Sequence, residues 1–201
     1  LSNGSHSITA VVTDTSGNTT TSAPVSVTVS NAVTGTLTFN NTANIVLSDN
    51  GAAATYPSTI AVSGMAGTIT GMQLKLNGFA HAVPRDQDIL VVGPTGVKSW
   101  VMSDAASYAA VTGINLVFDQ TAAATINPAN PLSSGTYKPT DTVQGTDVNL
   151  PSPAPVGPYT ANFGLFTGTN PNGTWSLYCF DDGAGDVGNI AGGWSLVITT
   201  A

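Results

Sequence analysis

The chain has 201 residues, 41% of them apolar and only 7% charged, against the ~25% charged that is usual in soluble domains. Its eleven acids are all Asp, opposed only by Lys75, Lys98, Lys138 and Arg85, which gives a formal net charge of -7. Four scattered basic residues cannot track phosphates or hold an anionic bilayer, so nucleic acid and membrane surfaces are excluded as partners. Apolar runs such as residues 89–92 stop far short of the ~20 residues that insert across a bilayer.

With no Glu, hardly any Lys, and abundant Thr, Ser, Gly and Val, the chain lacks the best helix formers and predicts almost no α-helix. It begins at Leu1 with neither Met nor a signal peptide, and so reads as a processed product or an excerpt from a longer chain. Apolar and polar residues alternate at period two in residues 8–12 and 25–29, with turn chemistry between them at Asp14-Thr-Ser-Gly-Asn18. Residues 1–31 therefore form a short two-strand hairpin, and residues 31–35 a connector. A hairpin alone is marginal in water and needs something to pack on. Residues 4–10, 14–19 and 23–29 resemble the last two strands of the immunoglobulin-like repeats of long bacterial surface proteins.

Residues 32–201 are long enough for one domain with its own core. Alternation continues at residues 72–76, and turns fall at residues 48–51, 93–96, 170–173 and 181–185. Many short strands without a helical period predict an all-β chain: an antiparallel jelly-roll β-sandwich carrying the short immunoglobulin-like hairpin at its N-terminus. The Pro- and Ala-rich stretch 122–158 reads as a long surface excursion. Gly173-Thr-Trp-Ser-Leu177 and Gly193-Trp-Ser-Leu196 repeat a Trp-Ser-Leu unit and are expected to pair as an antiparallel hairpin, with Trp175 and Trp194 in the core and Ser195 facing solvent. Trp100 reads as core as well. Cys179, with no second cysteine, reads as a small buried hydrophobe.

Two acidic segments carry the candidate chemistry. Asp86 and Asp88 stand two apart at the start of a strand and are expected to share one face. Asp181, Asp182 and Asp186 crowd a Gly-rich turn, where their mutual repulsion would be relieved by a hard cation such as Ca²⁺. The alternative for each group is ordinary turn capping and solvation. His81 has two readings, a half-buried imidazole hydrogen-bonded to a loop and an ion or partner contact. His6, in the hairpin, is incidental. Nucleophile elbows, His-Glu-x-x-His and cysteine pairs are missing from the sequence, so a non-catalytic protein is expected.

The segment His81 to Gly96, then residues 102–105, 113–119 and 135–139, and finally residues 170–177 through 192–196 resemble, in this order, the P domain (P/Homo B domain). That domain follows the catalytic domain of subtilisin-like proprotein convertases and recurs at the ends of bacterial surface proteins. The resemblance spans about 150 residues and implies a jelly roll without catalytic residues of its own. Gln87, where that family usually has Leu, and Gln120, where bacterial members often carry a second acid, depart from the pattern. The expected function is a non-catalytic accessory or terminal module, extracellular or at the bacterial cell surface, that stabilises or presents neighbouring domains of its own polypeptide. The alternatives are a module binding a glycan or cell-surface protein through residues 122–158 and Tyr108, Tyr137 and Tyr159, and a subunit joined to a neighbour by strand addition through residues 1–30.

Overall fold

The computed structural model describes residues 4–29, 31–142 and 150–201. The chain divides into two compact units, Leu1–Val33 and Thr34–Ala201, with the division inside the connector 31–35. In the first unit, β1 (Gly4–Ile8) pairs antiparallel with β4 (Val25–Val29), and β2 (Val11–Thr13) with β3 (Thr19–Thr21). The turn between β2 and β3 is held by Asp14, whose Oδ1 accepts from the N–H groups of Ser16 at 2.8 Å and Asn18 at 2.9 Å. Four strands replace the expected two. The break lies where Ser22 Oγ accepts from the Ala10 N–H at 3.0 Å and Pro24 has no N–H to offer the ladder.

The second unit is a β-sandwich. One sheet has the order β13 (Thr140–Asp141), β10 (Lys98–Ser103), β9 (Gln87–Val92), β14 (Gly173–Asp181), β7 (Ser58–Val62). The other is built on the long β8 (Ile69–His81), with β11 (Val111–Asp119) and then β12 (Gly135–Tyr137) on one side. On the other side of β8 run β16 (Trp194–Thr200), backed by β5 (Gly35–Asn41), and then β15 (Gly188–Ile190), backed by β6 (Ile45–Leu47). Alternate residues of both sheets point inward and form one core, among them Ile60, Ile89, Val91, Leu177, Leu74, Leu76, Phe118 and Leu196.

The Trp-Ser-Leu units do not pair with each other. Trp175 lies on β14, between β7 and β9, whereas Trp194 lies on β16 in the opposite sheet, between β5 and β8. The connection between them contains β15 and is too long for a tight turn, so it carries the chain across the sandwich instead of folding it back. Both rings are fully buried, as expected. Trp194 Nε1 donates to Ser58 Oγ across the core at 3.0 Å, and Trp175 Nε1 to the Pro171 carbonyl at 2.9 Å. Ser195 does not face solvent: it is 6% exposed and its hydroxyl accepts from Asn77 Nδ2 at 3.2 Å.

The excursion is also more deeply used than its composition suggests, although residues 143–149 of it lie outside the described residues. Its β12 and β13 join β11 and β10 as short parallel ladders, and Ile126, Leu132 and Thr140 are buried. A second apolar cluster of Leu90, Trp100, Leu150 and Tyr178 covers the outer face of the five-stranded sheet. Tyr159 packs edge-on against Trp100, and the hydroxyls of Tyr56 and Tyr159 donate to the Pro151 and Pro155 carbonyls. Of the three tyrosines expected at the surface, only Tyr108 is exposed, with the Arg85 guanidinium over its ring; Tyr137 and Tyr159 are half-buried.

Gly193, immediately before β16, has φ +65°, and a Cβ there would sit 2.0 Å from the Asn41 carbonyl oxygen. Gly193→Ala is therefore expected to cost about 3 kcal/mol or more in chemical denaturation, and a loss under about 1 kcal/mol would contradict this close approach. Burial pushes the Cys179 thiol up to about 12. Iodoacetamide should accordingly leave Cys179 unmodified in the native protein at neutral pH and alkylate it once the sandwich is unfolded, as read by intact mass.

Candidate functional site

At one end of the sandwich the inward-facing positions change from apolar to polar. His81 ends β8, Gln87 opens β9 and Asp181 ends β14, where it is paired in register with Gln87. All three side chains are buried, at 2%, 0% and 1% exposure. Strand alternation explains their convergence: Gln87 continues the inward row of Ile89 and Val91, and Asp181 that of Leu177 and Cys179. His81, deeper than the half-burial expected, follows Phe79 inward from the opposite sheet, and the two rings stack.

His81 Nδ1 lies 2.9 Å from the Val83 carbonyl oxygen and 3.2 Å from the Val83 N–H. The first contact uses Nδ1 as a donor and the second as an acceptor, according to the ring's tautomer, and the partners on the far side of the ring are left to Nε2. That nitrogen faces Gln87 Nε2 at 3.1 Å and Asp181 Oδ2 at 3.0 Å. Gln87 Nε2 also donates to Asp181 Oδ2 at 2.6 Å, while Asp181 Oδ1 accepts from the backbone N–H groups of Asn50 at 3.3 Å and Gly183 at 3.1 Å. Burial raises the Asp181 carboxyl to about 6; the His81 ring opposes the rise and the Asp186 charge adds to it.

The acidic turn after β14 brings Asp186 to the other side of the ring, with Oδ1 3.4 Å from His81 Nδ1 and the side chain 7% exposed. Its glycines make this fit possible. A Cβ on Gly188 would lie 2.3 Å from His81 Cδ2, and one on Gly183 would lie 2.0 Å from Asp86 Oδ2. Asp86 sits in the 3-10 turn Pro84–Asp86 beside this group. Burial first, and then the Asp186 and Asp182 charges, hold its carboxyl above the usual range.

The five carboxylates named from the sequence are thus only partly gathered. Asp181 and Asp186 flank His81, with Asp86 adjacent. Asp182 is exposed, and its N–H donates to the Asp86 carbonyl at 3.0 Å. Asp88 does not share a face with Asp86. It lies on the outward row of β9, buried, and accepts from Ser103 Oγ at 2.7 Å. The separation arises because the 3-10 turn ends at Asp86, so strand alternation begins only at Gln87. Ca²⁺ takes six to eight oxygens, and this split set with an imidazole at its centre does not supply such a cage.

Gln87 is the member that sequence reasoning missed as a participant. Its signal was present, as an uncharged polar side chain opening a run otherwise destined for the core. Gln120 has a structural use, its Oε1 accepting from the Phe163 N–H at 2.8 Å. His6 lies on β1, in the other unit. On the outer face of the seven-stranded sheet a groove of about 390 Å³ is lined by Thr36, Gln73, Asp119, Thr121 and Thr199, among others. Asp119 there is held below the usual carboxylate range; partial burial works against this, but the Thr121 N–H and hydroxyl and the Gln73 amide outweigh it.

No family model matches the chain, and comparison with curated proteins and with solved structures also returns no match.

Two outcomes follow from these assignments. Asp88→Ala removes an acceptor from the buried Ser103 hydroxyl and is expected to cost about 1–3 kcal/mol in urea denaturation, with the response to added divalent metal unchanged. Because the folded Asp119 carboxyl is depressed, its contribution to stability is present above the unfolded value of ~4 and is lost as pH falls through the lower folded value. Melting temperatures recorded between pH 2 and 6 should fall less steeply for Asp119→Asn than for the parent protein.

Proposed function

We propose that the chain is a non-catalytic accessory module of a larger secreted or cell-surface bacterial protein, with a P-domain-like sandwich that stabilises or presents the domains beside it. The observation that carries this reading is the use made of the reactive side chains. His81 and Asp181, the groups best suited to acid–base work, are sealed between the sheets and tied to Gln87 and Val83, where they join β8, β9 and β14. Side chains placed in this way support a rigid scaffold better than a substrate-accessible centre. The ordered resemblance of residues 81–196 to the P domain supports the same reading. It does not need calcium, since the donor set around the acidic turn is not an oxygen cage.

The test is removal of residues 34–201 from the parent polypeptide. The neighbouring domain should then melt several degrees lower and reach the cell surface in smaller amount; unchanged melting and unchanged display would overturn the proposal.

A second reading, strand or face addition through the N-terminal unit, is favoured by a specific observation. Ile8, Val11, Val12 and Val25 are 47–65% exposed, on strands that among the described residues form two-stranded ladders. Light scattering should then show self-association or capture of a neighbour that Val12→Lys together with Val25→Lys abolishes. A strict monomer that captures no neighbouring domain would remove this reading.

A further inference from the structure

The sequence contains four Asn-Gly pairs, of which Asn50-Gly51, Asn77-Gly78 and Asn172-Gly173 lie wholly within the described residues and Asn3-Gly4 begins outside them. Asparagine before glycine is chemically labile, because a nitrogen whose own residue has no Cβ is open to the asparagine side chain. The fold treats the three pairs differently. Asn172 is pinned, its Oδ1 accepting from the Met65 N–H at 3.0 Å and its Nδ2 donating to the Met65 carbonyl at 2.8 Å, while Gly173 is paired in register with Val62. Asn77 Nδ2 donates to Ser195 Oγ at 3.2 Å, and the Gly78 N–H to Asn115 Oδ1 at 2.8 Å. Asn50 is exposed in the 48–51 turn, at φ 44°, a left-handed conformation that a short polar side chain tolerates. Among the described residues, neither its side-chain amide nor the Gly51 N–H has a hydrogen-bond partner.

We propose that Asn50 is a site of spontaneous deamidation, and that its product loosens the 48–51 turn from the end of β14 and the acidic turn. The Gly51 nitrogen adds to Asn50 Cγ, the Cγ–Nδ2 bond breaks, and the side-chain nitrogen leaves as ammonia with the proton from Gly51. A five-membered succinimide remains. Water opens it at one of its two carbonyls, giving aspartate or isoaspartate. In isoaspartate the chain runs through the side-chain carbon, which lengthens the backbone by one atom, and either product carries a new carboxylate. The turn that would be altered is a strap. The Asn50 N–H donates to Asp181 Oδ1 at 3.3 Å, the Gly51 carbonyl accepts from the Asp181 N–H at 3.0 Å, and Asp49 Oδ1 accepts from the Gly185 N–H at 2.8 Å. A longer backbone at residue 50 pulls these three contacts out of register, and the new charge stands beside Asp49 and Asp181. The site is independent of the accessory-module reading.

The experiment holds the full chain at pH 8 and 37 °C, in native buffer and in unfolding guanidinium chloride, and follows the Asn-Gly peptides by mass spectrometry with fragmentation that separates isoaspartate from aspartate. In the native protein, conversion at Asn50 should run at least about tenfold faster than at Asn77 and Asn172; in guanidinium chloride the three should convert at similar rates. A Cβ at Gly51 would meet nothing closer than the Asp49 carbonyl oxygen at 3.6 Å, so Gly51→Ala is expected to fold normally and to slow conversion at Asn50 at least about tenfold. The form converted at Asn50, isolated by anion exchange and identified by its peptide map, should melt about 2–4 °C below the fresh protein. An Asn50 that stays intact in the native protein while the unfolded chain reacts would overturn the site, as would equal native rates at the three pairs or undiminished conversion in Gly51→Ala. A converted form that melts with the fresh protein would overturn the loosening.

Discussion

The sandwich depends on the passage of the chain from the end of β14 to the start of β16, which moves it from one sheet to the other. Trp175 and Trp194, in chemically repeated settings, thereby become core residues of opposite sheets instead of neighbours on one hairpin. The crossing is held at Gly193 by backbone contact with residues 41–43 and at Trp194 by the bond to Ser58. It also delivers β15 to the far end of β8, beside the residues that lead into His81. Removing a buried tryptophan ring from such a core typically costs ~3–5 kcal/mol, a large share of the stability of a domain this size.

The polar corner is a consequence of that passage. Asp181 is the last inward residue before the chain leaves the five-stranded sheet, and His81 is the last inward residue of β8, so the two ends meet across the core. Low dielectric surroundings make each polar contact there strong and each missing one costly. Gly183 and Gly188 let the turn lie against Asp86 and His81, and any side chain in their place would push it away. The glycine-rich, aspartate-rich composition of the turn is therefore a packing requirement as well as a charge pattern.

The outer face of the five-stranded sheet shows the same economy. Its strands are apolar on both rows, so a second cover is needed, and residues 150–161 provide part of it through Leu150 and Tyr159. Proline-rich chain suits this role because it has few N–H groups to satisfy, while its carbonyls accept from Tyr56 and Tyr159. The 122–158 stretch looked like a surface excursion because it lacks periodicity. It contributes instead through single buried residues and through strands of two and three residues, which are too short to leave a periodic trace.

What the sequence determined by itself was local in origin. The all-β class follows from the scarcity of helix formers and from period-two alternation, and the burial of Trp175, Trp194 and Cys179 from their rows. The crowding of Asp181, Asp182 and Asp186 in one turn is a matter of adjacency. Which strands pair, which sheet receives each Trp-Ser-Leu unit, the burial of Ser195 and the choice of carboxylates that meet His81 were decided only by tertiary structure. Alternation states which residues share a face but not which element that face meets, and it cannot locate the 3-10 turn that separates Asp86 from Asp88. Gln87 shows the limit most clearly: its chemistry is visible in the sequence, but its partners come from two strands remote in the chain and are brought to it only by the closing of the sandwich.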